Sequence, residues 1–384
     1  MNQGSFYRDT WVEINLDAIK QNVRNMKKHV GEQTKVIAVV KANAYGHGDS
    51  ETAEAALSSG ASMLAVAFLD EALSLREKGI TAPILVLGGS RAADVQTAVD
   101  HHITLTVFSL DWLKEAMNEL EKGTLFCHIK VDTGMGRLGF TEKEKLMEFI
   151  SYSNSEEKVA IKGIYTHFAT ADELETGYFE KQFKRFNEMI EGLPSEDWMV
   201  HCGNSATGLR FPEKLFNAVR LGISMYGLSP SEEMKKELPY KLEEAFSLRT
   251  KLVQVKKIHK GDSVSYGATF KAEKDEWVGT LPIGYADGWI RKLKNSDVLI
   301  EGKRVPIIGR ICMDQCMVLL PEEMSSGTEV TLIGKQENSE IPVDEVASRL
   351  ETINYEVTCI IGTRVPRIYM ENGRIVKVKN SLLS

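Results

Sequence analysis

A lysine stands where an apolar run of the chain gives way to a polar segment that contains glycine. The run covers residues 36–40 (VIAVV), and the segment begins at Lys41 and continues as ANAYGHG. A strand buried on both faces has this length and β-branched content, so we predict that Lys41 lies at its C-terminal end. A lysine shielded from water there loses its proton readily and can form a Schiff base with a carbonyl compound such as pyridoxal phosphate. The alternative is a strand-terminal lysine whose amine reaches solvent.

Further groups that could bind an anion or move a proton follow later apolar runs. Arg137 lies in the glycine-rich segment DTGMGRLG, which suits recognition of a carboxylate or phenolate oxygen. His167 follows GIYT, and a histidine there is either a proton-transfer group or a satisfied core residue. The segments 201–206 (HCGNSA) and 220–227 (RLGISMYG) could offer a hydroxyl and backbone amides to a phosphate, since Gly222 lets an anion approach the backbone. Each of these signals is weak by itself.

Tyrosines flanked by small residues recur in the last third of the chain. Tyr266 lies in SYGA and Tyr285 in GYADG, and the segments GRICMDQ (309–315) and NYE (354–356) follow. Such tyrosines usually mark tight turns. A phenol titrates near about 10, so it acts as a base only where cations or hydrogen bonds stabilise the phenolate.

Eight strand-like runs alternate with amphipathic helical stretches between about residues 17 and 235. The runs are residues 36–40, 63–68, 84–87, 103–108, 125–131, 160–166, 198–202 and 217–221. This succession predicts an α/β fold of the (β/α)8 TIM barrel type, in which the loops after the strands carry the chemistry. An open, doubly wound sheet is the alternative, because periodicity alone does not show closure. Asp17 is predicted to cap the first helix.

The pattern changes after residue 240. The later runs are short, rich in β-formers and separated by turn segments such as KGD, EGK and SSG. They cover residues 247–256, 276–282, 298–300, 305–308 and 328–333. We therefore expect a barrel domain over residues 1–240 and a mostly antiparallel β domain over 241–384. The opening run from Arg8 to Leu16 is also strand-like, and the first twelve or so residues are expected either in the barrel domain or in the β domain.

Composition limits the class of protein. The chain has 384 residues, of which 43% are hydrophobic and 26% charged, which fits two globular domains and argues against a membrane protein. Its net charge of -7 argues against a nucleic-acid partner. The five cysteines are scattered as in reduced intracellular proteins, and the pair Cys312 and Cys316 alone does not make a zinc site. We expect a cytoplasmic protein that needs no metal and binds no membrane.

Taken together, the motifs closely resemble those of the alanine racemases, a family of isomerases that use pyridoxal phosphate. The likeness covers nearly the whole chain and keeps the order of the family's motifs, which are VVKANAYGHG, THFATAD, HCGNSA, RLGISMYG, SYGA, GYADG, GRICMDQ, NYEV and RVPR. The visible departure is Gly203, where we expect an alanine. The resemblance implies interconversion of L- and D-alanine, which supplies D-alanine for the peptidoglycan of bacterial cell walls.

The resemblance also implies roles for individual residues. Lys41 would carry pyridoxal 5'-phosphate and act as one acid–base group, and Tyr266 would act as the other from the opposite face. His167 and Arg220 would support Tyr266, and Arg220 would also face the pyridine nitrogen. The cofactor-binding set is expected to be Lys41, Tyr45, Ser205, Arg220, Gly222, Ile223 and Tyr355.

Substrate contacts and assembly are implied in the same way. Arg137 and Met313 would face the substrate carboxylate or the cofactor phenolate, and in several relatives the lysine that matches Lys130 carries a carbamate that steadies this arginine. The substrate entrance is expected at Asp172, Tyr285, Arg291, Arg310 and Ile353. A homodimer with shared active sites is implied, because Lys41 belongs to the barrel and Tyr266 to the β domain.

Three other functions are considered. A racemase of broad specificity stays open, because motifs do not reveal the width of a pocket. An amino-acid decarboxylase of the same plan would need a C-terminal constellation for a diamine-type substrate, which the sequence lacks. A non-catalytic carrier of pyridoxal phosphate would lack the second domain, so the residues after 240 argue against it.

Overall fold

The computed structural model describes residues 6–383 and contains two compact units. The barrel unit comprises Ala18–Ala44 and Asp49–Glu243. The sheet unit comprises the described residues up to Asp17, the short segment Tyr45–Gly48 and the described residues from Glu244 onward. The opening strand, β1 (Thr10–Asn15), belongs to the sheet unit because it pairs with strands that follow residue 244.

Eight parallel strands form the barrel. They are β2 (Lys35–Val39), β3 (Ala61–Val66), β4 (Ile84–Val86), β5 (Ile103–Val107), β6 (Leu125–Lys130), β7 (Val159–Tyr165), β8 (Met199–His201) and β9 (Ala218–Leu221). Neighbours from β2 to β8 pair in chain order, and β9 pairs with the other side of β2. A bridge between Gly203 and Val219 joins β8 to β9, with the Arg220 amide donating to the Gly203 carbonyl at 3.0 Å. The predicted barrel is confirmed, and the open-sheet alternative is wrong.

Helices connect the barrel strands, and two more lie in the sheet unit. They are α1 (Leu16–Val30), α2 (Lys41–Tyr45), α3 (Asp49–Leu57), α4 (Leu69–Glu77), α5 (Val95–Asp100), α6 (Leu110–Glu119), α7 (Lys143–Ser155), α8 (Gly177–Ile190), α9 (Ser205–Arg210), α10 (Val343–Leu350) and α11 (Asn354–Ile360). The predicted cap at Asp17 is wrong. Because β1 passes directly into α1, Asp17 already lies in the first helical turn, where a carboxylate favours the helix dipole. Among residues 6–383, none of the helices has the length and apolar character needed to cross a bilayer.

The sheet unit is mostly antiparallel, as predicted. Its later strands are β10 (Phe246–Lys251), β11 (Gln254–Ile258), β12 (Ser263–Val264), β13 (Phe270–Lys271), β14 (Glu276–Leu281), β15 (Asp297–Ile300), β16 (Lys303–Ile308), β17 (Cys316–Leu320), β18 (Glu329–Gln336), β19 (Ser339–Ile341), β20 (Arg367–Glu371) and β21 (Arg374–Lys379). Its main path is β11-β14-β17-β16-β15-β18-β10-β1-β20-β21, and only β1 and β20 pair in parallel along it. The single run predicted over 247–256 is two strands, because the chain leaves β10 at Leu252.

Candidate active site

Polar side chains collect at the C-terminal ends of the barrel strands, where a closed barrel brings neighbouring loops together. Lys41 follows β2 after Val40, and Lys130 and Tyr165 are the last residues of β6 and β7. His201 ends β8. These positions follow directly from the strand bounds, and the same end of the barrel carries the glycine-rich segments singled out from the sequence.

Arg220, in β9, is the centre of a buried hydrogen-bond network. Its guanidinium donates to the carbonyls of Thr166 at 2.8 Å, Cys202 at 3.0 Å and His201 at 3.1 Å. It also donates to Nδ1 of His201 at 2.8 Å and to Nδ1 of His167 at 3.3 Å. Only 3% of Arg220 is exposed, and this burial lowers its pKa to about 10, so the guanidinium remains charged at neutral pH. The loops after β7 and β8 therefore fix a cation in one orientation.

The network determines which nitrogen of each histidine carries the proton. A guanidinium can only donate, so Nδ1 of His201 accepts and its Nε2 holds the hydrogen. That Nε2 donates to Nδ1 of His128 at 2.9 Å. Burial, followed by the charge of Arg220, lowers the pKa of His128 to about 3 and the pKa values of His167 and His201 well below their ordinary range. All three imidazoles are therefore neutral at physiological pH.

Lys130 is a buried lysine beside this network. Only 4% of it is exposed, and its amine lies 4.7 Å from the centre of the Tyr165 ring. Burial, and then the charges of Arg220 and Arg137, lower the pKa of Lys130 well below its usual value, although Asp132 opposes this. The Tyr165 ring also stacks on the His201 ring, with ring centres 4.6 Å apart. One aromatic side chain therefore packs against both the Lys130 amine and a histidine of the Arg220 network.

Asp132 shapes the loop that carries Arg137. Its carboxylate accepts backbone N–H groups from Gly134 at 2.9 Å, Gly136 at 3.1 Å and Arg137 at 2.9 Å. Burial alone would raise the pKa of Asp132, but these three hydrogen bonds outweigh it and the pKa is lowered. The Tyr178 hydroxyl donates to the Gly134 carbonyl at 2.7 Å. The loop that carries Arg137 is therefore held by the Asp132 carboxylate on its amides and by the Tyr178 hydroxyl on its Gly134 carbonyl.

The loops after β8 and β9 meet at a hydroxyl and a backbone amide. The Gly222 amide donates to the Ser205 hydroxyl oxygen at 2.9 Å, and Ile223 follows in a short 3-10 turn. Both Ser205 and Ile223 are buried. At Gly203, where we expected alanine, a Cβ atom would overlap the side chain of Leu215. The glycine therefore leaves the space that Leu215 occupies.

Lys41 opens a turn of unusual handedness. Ala42, Asn43 and Ala44 have φ of 53°, 52° and 52°, in the left-handed helical region. Residues with a Cβ atom adopt this conformation at a cost of about 1–2 kcal/mol each. The Ala42 amide donates to the Glu71 carboxylate at 2.6 Å, so a side chain from the first turn of α4 helps to hold the turn.

In the sheet unit, Tyr45 and Tyr355 lie close together. Their ring centres are 6.1 Å apart. Tyr45 is buried, and this burial, with a smaller contribution from Cys359, raises the pKa of its phenol above the ordinary value. Tyr45 is therefore a neutral hydrogen-bonding group at any physiological pH.

Tyr266 stands on a strained turn of the sheet unit and is 72% exposed. Ser265 before it has φ of 71°, and Gly267 and Ala268 after it have φ of 72° and 47°. The Ser265 hydroxyl donates to the Arg310 carbonyl at 2.6 Å. Strain of this kind is concentrated at functional sites, where the surrounding structure maintains it.

Two loops of the sheet unit, which carry Tyr285 and Met313, are hydrogen-bonded to each other. The amides of Tyr285 and Ala286 donate to the carbonyls of Cys312 and Met313, both at 3.0 Å. Tyr285 and Met313 thus lie side by side, and both side chains are exposed. Arg291 begins a 3-10 turn, and the exposed Ile353 directly precedes α11.

Comparison with known proteins identifies the family. The model of the N-terminal domain of alanine racemases matches residues 14–230, and that of the C-terminal domain matches residues 245–369. Alanine racemase 1 of Bacillus subtilis is 58% identical, over 100% of this chain and 98% of its own length. The chain belongs to the alanine racemase family.

Solved structures of the family share the fold. The crystal structure of the alanine racemase from Bacillus anthracis with bound L-Ala-P has a TM-score of 0.95 at 49% identity, over 98% of this chain and 99% of that one. The histidine racemase from Leuconostoc mesenteroides has a TM-score of 0.91 at 32% identity, over 96% of this chain and 100% of its own. The same fold thus occurs in proteins named for different amino acids.

The residues that the family resemblance singled out are divided between the two units. The barrel unit contains Lys41, Lys130, Arg137, His167, Asp172, Ser205, Arg220, Gly222 and Ile223. The sheet unit contains Tyr45, Tyr266, Tyr285, Arg291, Arg310, Met313, Ile353 and Tyr355. Asp172 lies in the loop after β7, where its carbonyl accepts from the Ser231 hydroxyl at 2.8 Å.

Sequence patterns gave no role to His128, His201 or Glu71. The two histidines have a weak signal, since His128 lies within the largely apolar β6 and His201 ends the short β8. Glu71 has none, because an acidic residue in the first turn of a helix is common and needs no special function.

Proposed function

We propose that this member of the alanine racemase family interconverts L- and D-alanine, with pyridoxal 5'-phosphate bound covalently at Lys41. The observation that carries the proposal is the set of groups at the ends of the barrel strands. An amine follows β2, a hydroxyl and a backbone amide meet after β8 and β9, and a fixed arginine lies in β9. These are the donors that an aldehyde, a phosphate and a pyridine nitrogen require.

The proposed cofactor contacts follow from this chemistry. Ser205 and the amides of Gly222 and Ile223 bind the phosphate, as loops after the last two strands of this fold commonly do. Tyr45 and Tyr355 add phenol hydroxyls. When bound, the cofactor withdraws electrons from the substrate so that the proton on Cα becomes acidic.

Racemisation requires one proton-transfer group on each face of Cα. We propose that Tyr266 removes the Cα proton of L-alanine and that Lys41 removes the Cα proton of D-alanine. His167 supports Tyr266 as a neutral hydrogen-bonding partner, because its buried imidazole does not take up a proton at physiological pH.

Arg220 controls the electronic character of the cofactor ring. A guanidinium that donates to the pyridine nitrogen has no acceptor and does not give up its proton there, so the nitrogen stays unprotonated. The ring is then a weaker electron sink, which disfavours side reactions such as transamination. His201 accepts a hydrogen bond from Arg220 and remains neutral. The guanidinium that faces the cofactor ring therefore keeps its positive charge.

Arg137 and the Met313 backbone are assigned to the substrate carboxylate or the cofactor phenolate. Lys130 supports Arg137 in this proposal. A neutral, buried amine reacts with carbon dioxide and loses a proton to become an anionic carbamate, and such an anion would pair with the Arg137 guanidinium. The depressed pKa of Lys130 favours the neutral amine that this step needs.

The active site is proposed to be shared between the subunits of a homodimer. Lys41 and Tyr266 belong to different compact units, yet must act on opposite faces of one substrate. The entrance to the site is assigned to Asp172, Tyr285, Arg291, Arg310 and Ile353. The proposed cellular role is to supply D-alanine for peptidoglycan in the cytoplasm.

A racemisation assay tests the activity. The full-length chain with added pyridoxal 5'-phosphate is incubated with L-alanine, and D-alanine is measured by chiral chromatography. We expect an equal mixture of enantiomers, and borohydride reduction followed by peptide mapping should find the cofactor on Lys41. A bound cofactor without any D-alanine would indicate a carrier protein instead.

Substrate breadth is tested in the same assay with L-histidine, L-serine and L-lysine. The histidine racemase of the same fold makes this comparison necessary. Faster conversion of any of these than of alanine would replace the proposal with a racemase of broad or different specificity.

A further inference from the structure

Glu71 connects two neighbouring loops at the end of the barrel where Lys41 lies. It is in the first turn of α4, which follows β3. Its Oε1 accepts the amide of Ala42 at 2.6 Å. Its Oε2 accepts the amides of Ala67 at 2.7 Å and Phe68 at 3.4 Å. One carboxylate therefore binds the loop after β2 with one oxygen and the loop after β3 with the other.

The amide that Glu71 binds at the first loop is in the peptide group between Lys41 and Ala42. A hydrogen bond to this group fixes the plane of the peptide and hence the ψ angle of Lys41. The lysine side chain leaves the backbone at the same Cα atom, so its direction depends on this angle.

The turn after Lys41 is a conformation that its sequence disfavours. Ala42, Asn43 and Ala44 are left-handed although each has a Cβ atom. Two other hydrogen bonds hold the turn farther along, from the Ala44 amide to the Val40 carbonyl at 2.9 Å and from the Asp49 amide to Asn43 Oδ1 at 3.1 Å. Glu71 adds a contact at the Ala42 amide, in the peptide group that follows Lys41.

We propose that Glu71 is a positioning residue that orients Lys41 for covalent attachment of the cofactor, an inference that rests on the function proposed above for Lys41. The carboxylate maintains the left-handed turn at its first residue and ties it to the rigid start of α4. A carboxylate suits this position because it has two acceptor oxygens and no hydrogen, so it satisfies both loops at once. An amide side chain satisfies only one of them.

The competing explanation is that Glu71 only stabilises the start of α4. Three variants separate the two explanations. Glu71→Ala removes both contacts, whereas Glu71→Gln keeps one acceptor oxygen. The double variant Glu71→Ala with Ala42→Gly restores the turn without the carboxylate, because glycine adopts left-handed backbone conformations freely. Asp70→Asn is the matched control, since Asp70 is exposed in the same helical turn.

The measurement is the rate at which the cofactor becomes attached. The full-length chain is freed of cofactor with hydroxylamine and mixed with pyridoxal 5'-phosphate, and the visible absorbance band is followed in time. Borohydride reduction at fixed times, with peptide mapping, gives the fraction attached to Lys41. Thermal unfolding of each cofactor-free variant reports the stability of α4 and of the fold.

We expect attachment to Lys41 to slow by roughly ten- to a hundredfold in Glu71→Ala, as the loss of a hydrogen bond to a charged group implies. The double variant should recover most of the rate, and Asp70→Asn should match the wild type. An unchanged rate in Glu71→Ala overturns the inference. So does a failure of Ala42→Gly to restore the rate when both variants unfold at the same temperature.

Two further outcomes are distinguished. If Glu71→Ala does not fold, Glu71→Gln with and without Ala42→Gly gives the same comparison, and equal rates in that pair overturn the inference. If the wild-type protein carries the cofactor on another lysine, the function proposed for Lys41 fails. If Lys41 is labelled at the same rate in every variant, the function proposed for Lys41 stands and only the role of Glu71 is ruled out.

Discussion

Arg220 remains buried and charged because each group that it contacts by hydrogen bonding is an acceptor. Three carbonyls and two neutral imidazole nitrogens surround the guanidinium. A buried charge is costly unless it is hydrogen-bonded in this way. The arrangement requires His201 to stay neutral, because a second proton would remove the acceptor and place two cations side by side.

This requirement predicts that acid destabilises the protein through its histidines. The pKa of His128 is about 3 in the folded protein, and it returns to the ordinary value of about 6.5 on unfolding. The unfolded state therefore binds the extra proton as the pH falls below about 6.5, and stability falls until about pH 3. Between pH 7 and pH 5 we expect His128 alone to account for a loss of about 2 kcal/mol.

Urea unfolding of the wild type and of His128→Asn at pH 7 and pH 5 measures this loss. The asparagine oxygen can still accept from Nε2 of His201 but does not titrate. The difference in unfolding free energy between the two pH values should be smaller in the variant by about 2 kcal/mol. The same difference in both proteins would show that His128 is already protonated in the native state at pH 5.

The assignment of two separate bases predicts an asymmetric defect in Tyr266→Phe. Exchange of the α-hydrogen with deuterated solvent should be lost from L-alanine but retained from D-alanine, because Lys41 still serves the second enantiomer. Mass spectrometry of each enantiomer after incubation measures the exchange. Tyr7→Phe, at another exposed tyrosine of the sheet unit, is the control. Wild-type exchange from L-alanine in Tyr266→Phe would remove Tyr266 from the mechanism.

At the scale of elements, β7 approaches β8 closely because residue 163 has no side chain. A Cβ atom there would lie 2.5 Å from the Met199 carbonyl oxygen and 2.7 Å from Cε1 of His128. The glycine thus leaves room both for the strand pairing and for the histidine that supports His201. The network around Arg220 depends in this way on the spacing of two strands.

Gly163→Ala is therefore expected to destabilise the protein by about 1–3 kcal/mol, the usual cost of overpacking a core. It should also weaken cofactor binding, since displacement of His128 disturbs the partners of Arg220. Urea unfolding and titration with pyridoxal 5'-phosphate measure the two effects. Gly177→Ala is the control, because a Cβ there meets only the flexible Glu175 side chain. Equal stability of the two variants would contradict the packing argument.

At the scale of the whole molecule, shared active sites predict complementation between inactive subunits. Lys41→Ala and Tyr266→Phe homodimers should each be unable to racemise alanine. In a mixed dimer with crossed sites, one site would contain both native groups and the other would contain neither, so activity should return. The two variants are mixed after dissociation, and mixed dimers are isolated with two affinity tags before the assay. Inactive mixed dimers would show that each subunit provides both groups of its own site.

The sequence by itself was sufficient to predict the eight barrel strands and the mostly antiparallel character of the region that follows, but not every strand there: β17 and β19 to β21 lie outside the predicted runs. Hydrophobic periodicity is a local property, and each buried run such as residues 103–107 carries it without reference to the rest of the chain. The strand ends then located the segments with Lys41, Arg137 and Arg220, since parallel strands of a barrel present their C-terminal ends on one side.

The tertiary structure alone determined the contacts that hold those residues. Ala42 and Glu71 are 29 residues apart, and His128 and His201 are 73 apart. Whether such side chains meet depends on closure of the barrel and on strand register, which no local pattern encodes. The left-handed turn after Lys41 has the same origin. Its alanines favour a right-handed helix locally, and the opposite hand is held in part by a contact from another element, the hydrogen bond from the Ala42 amide to Glu71.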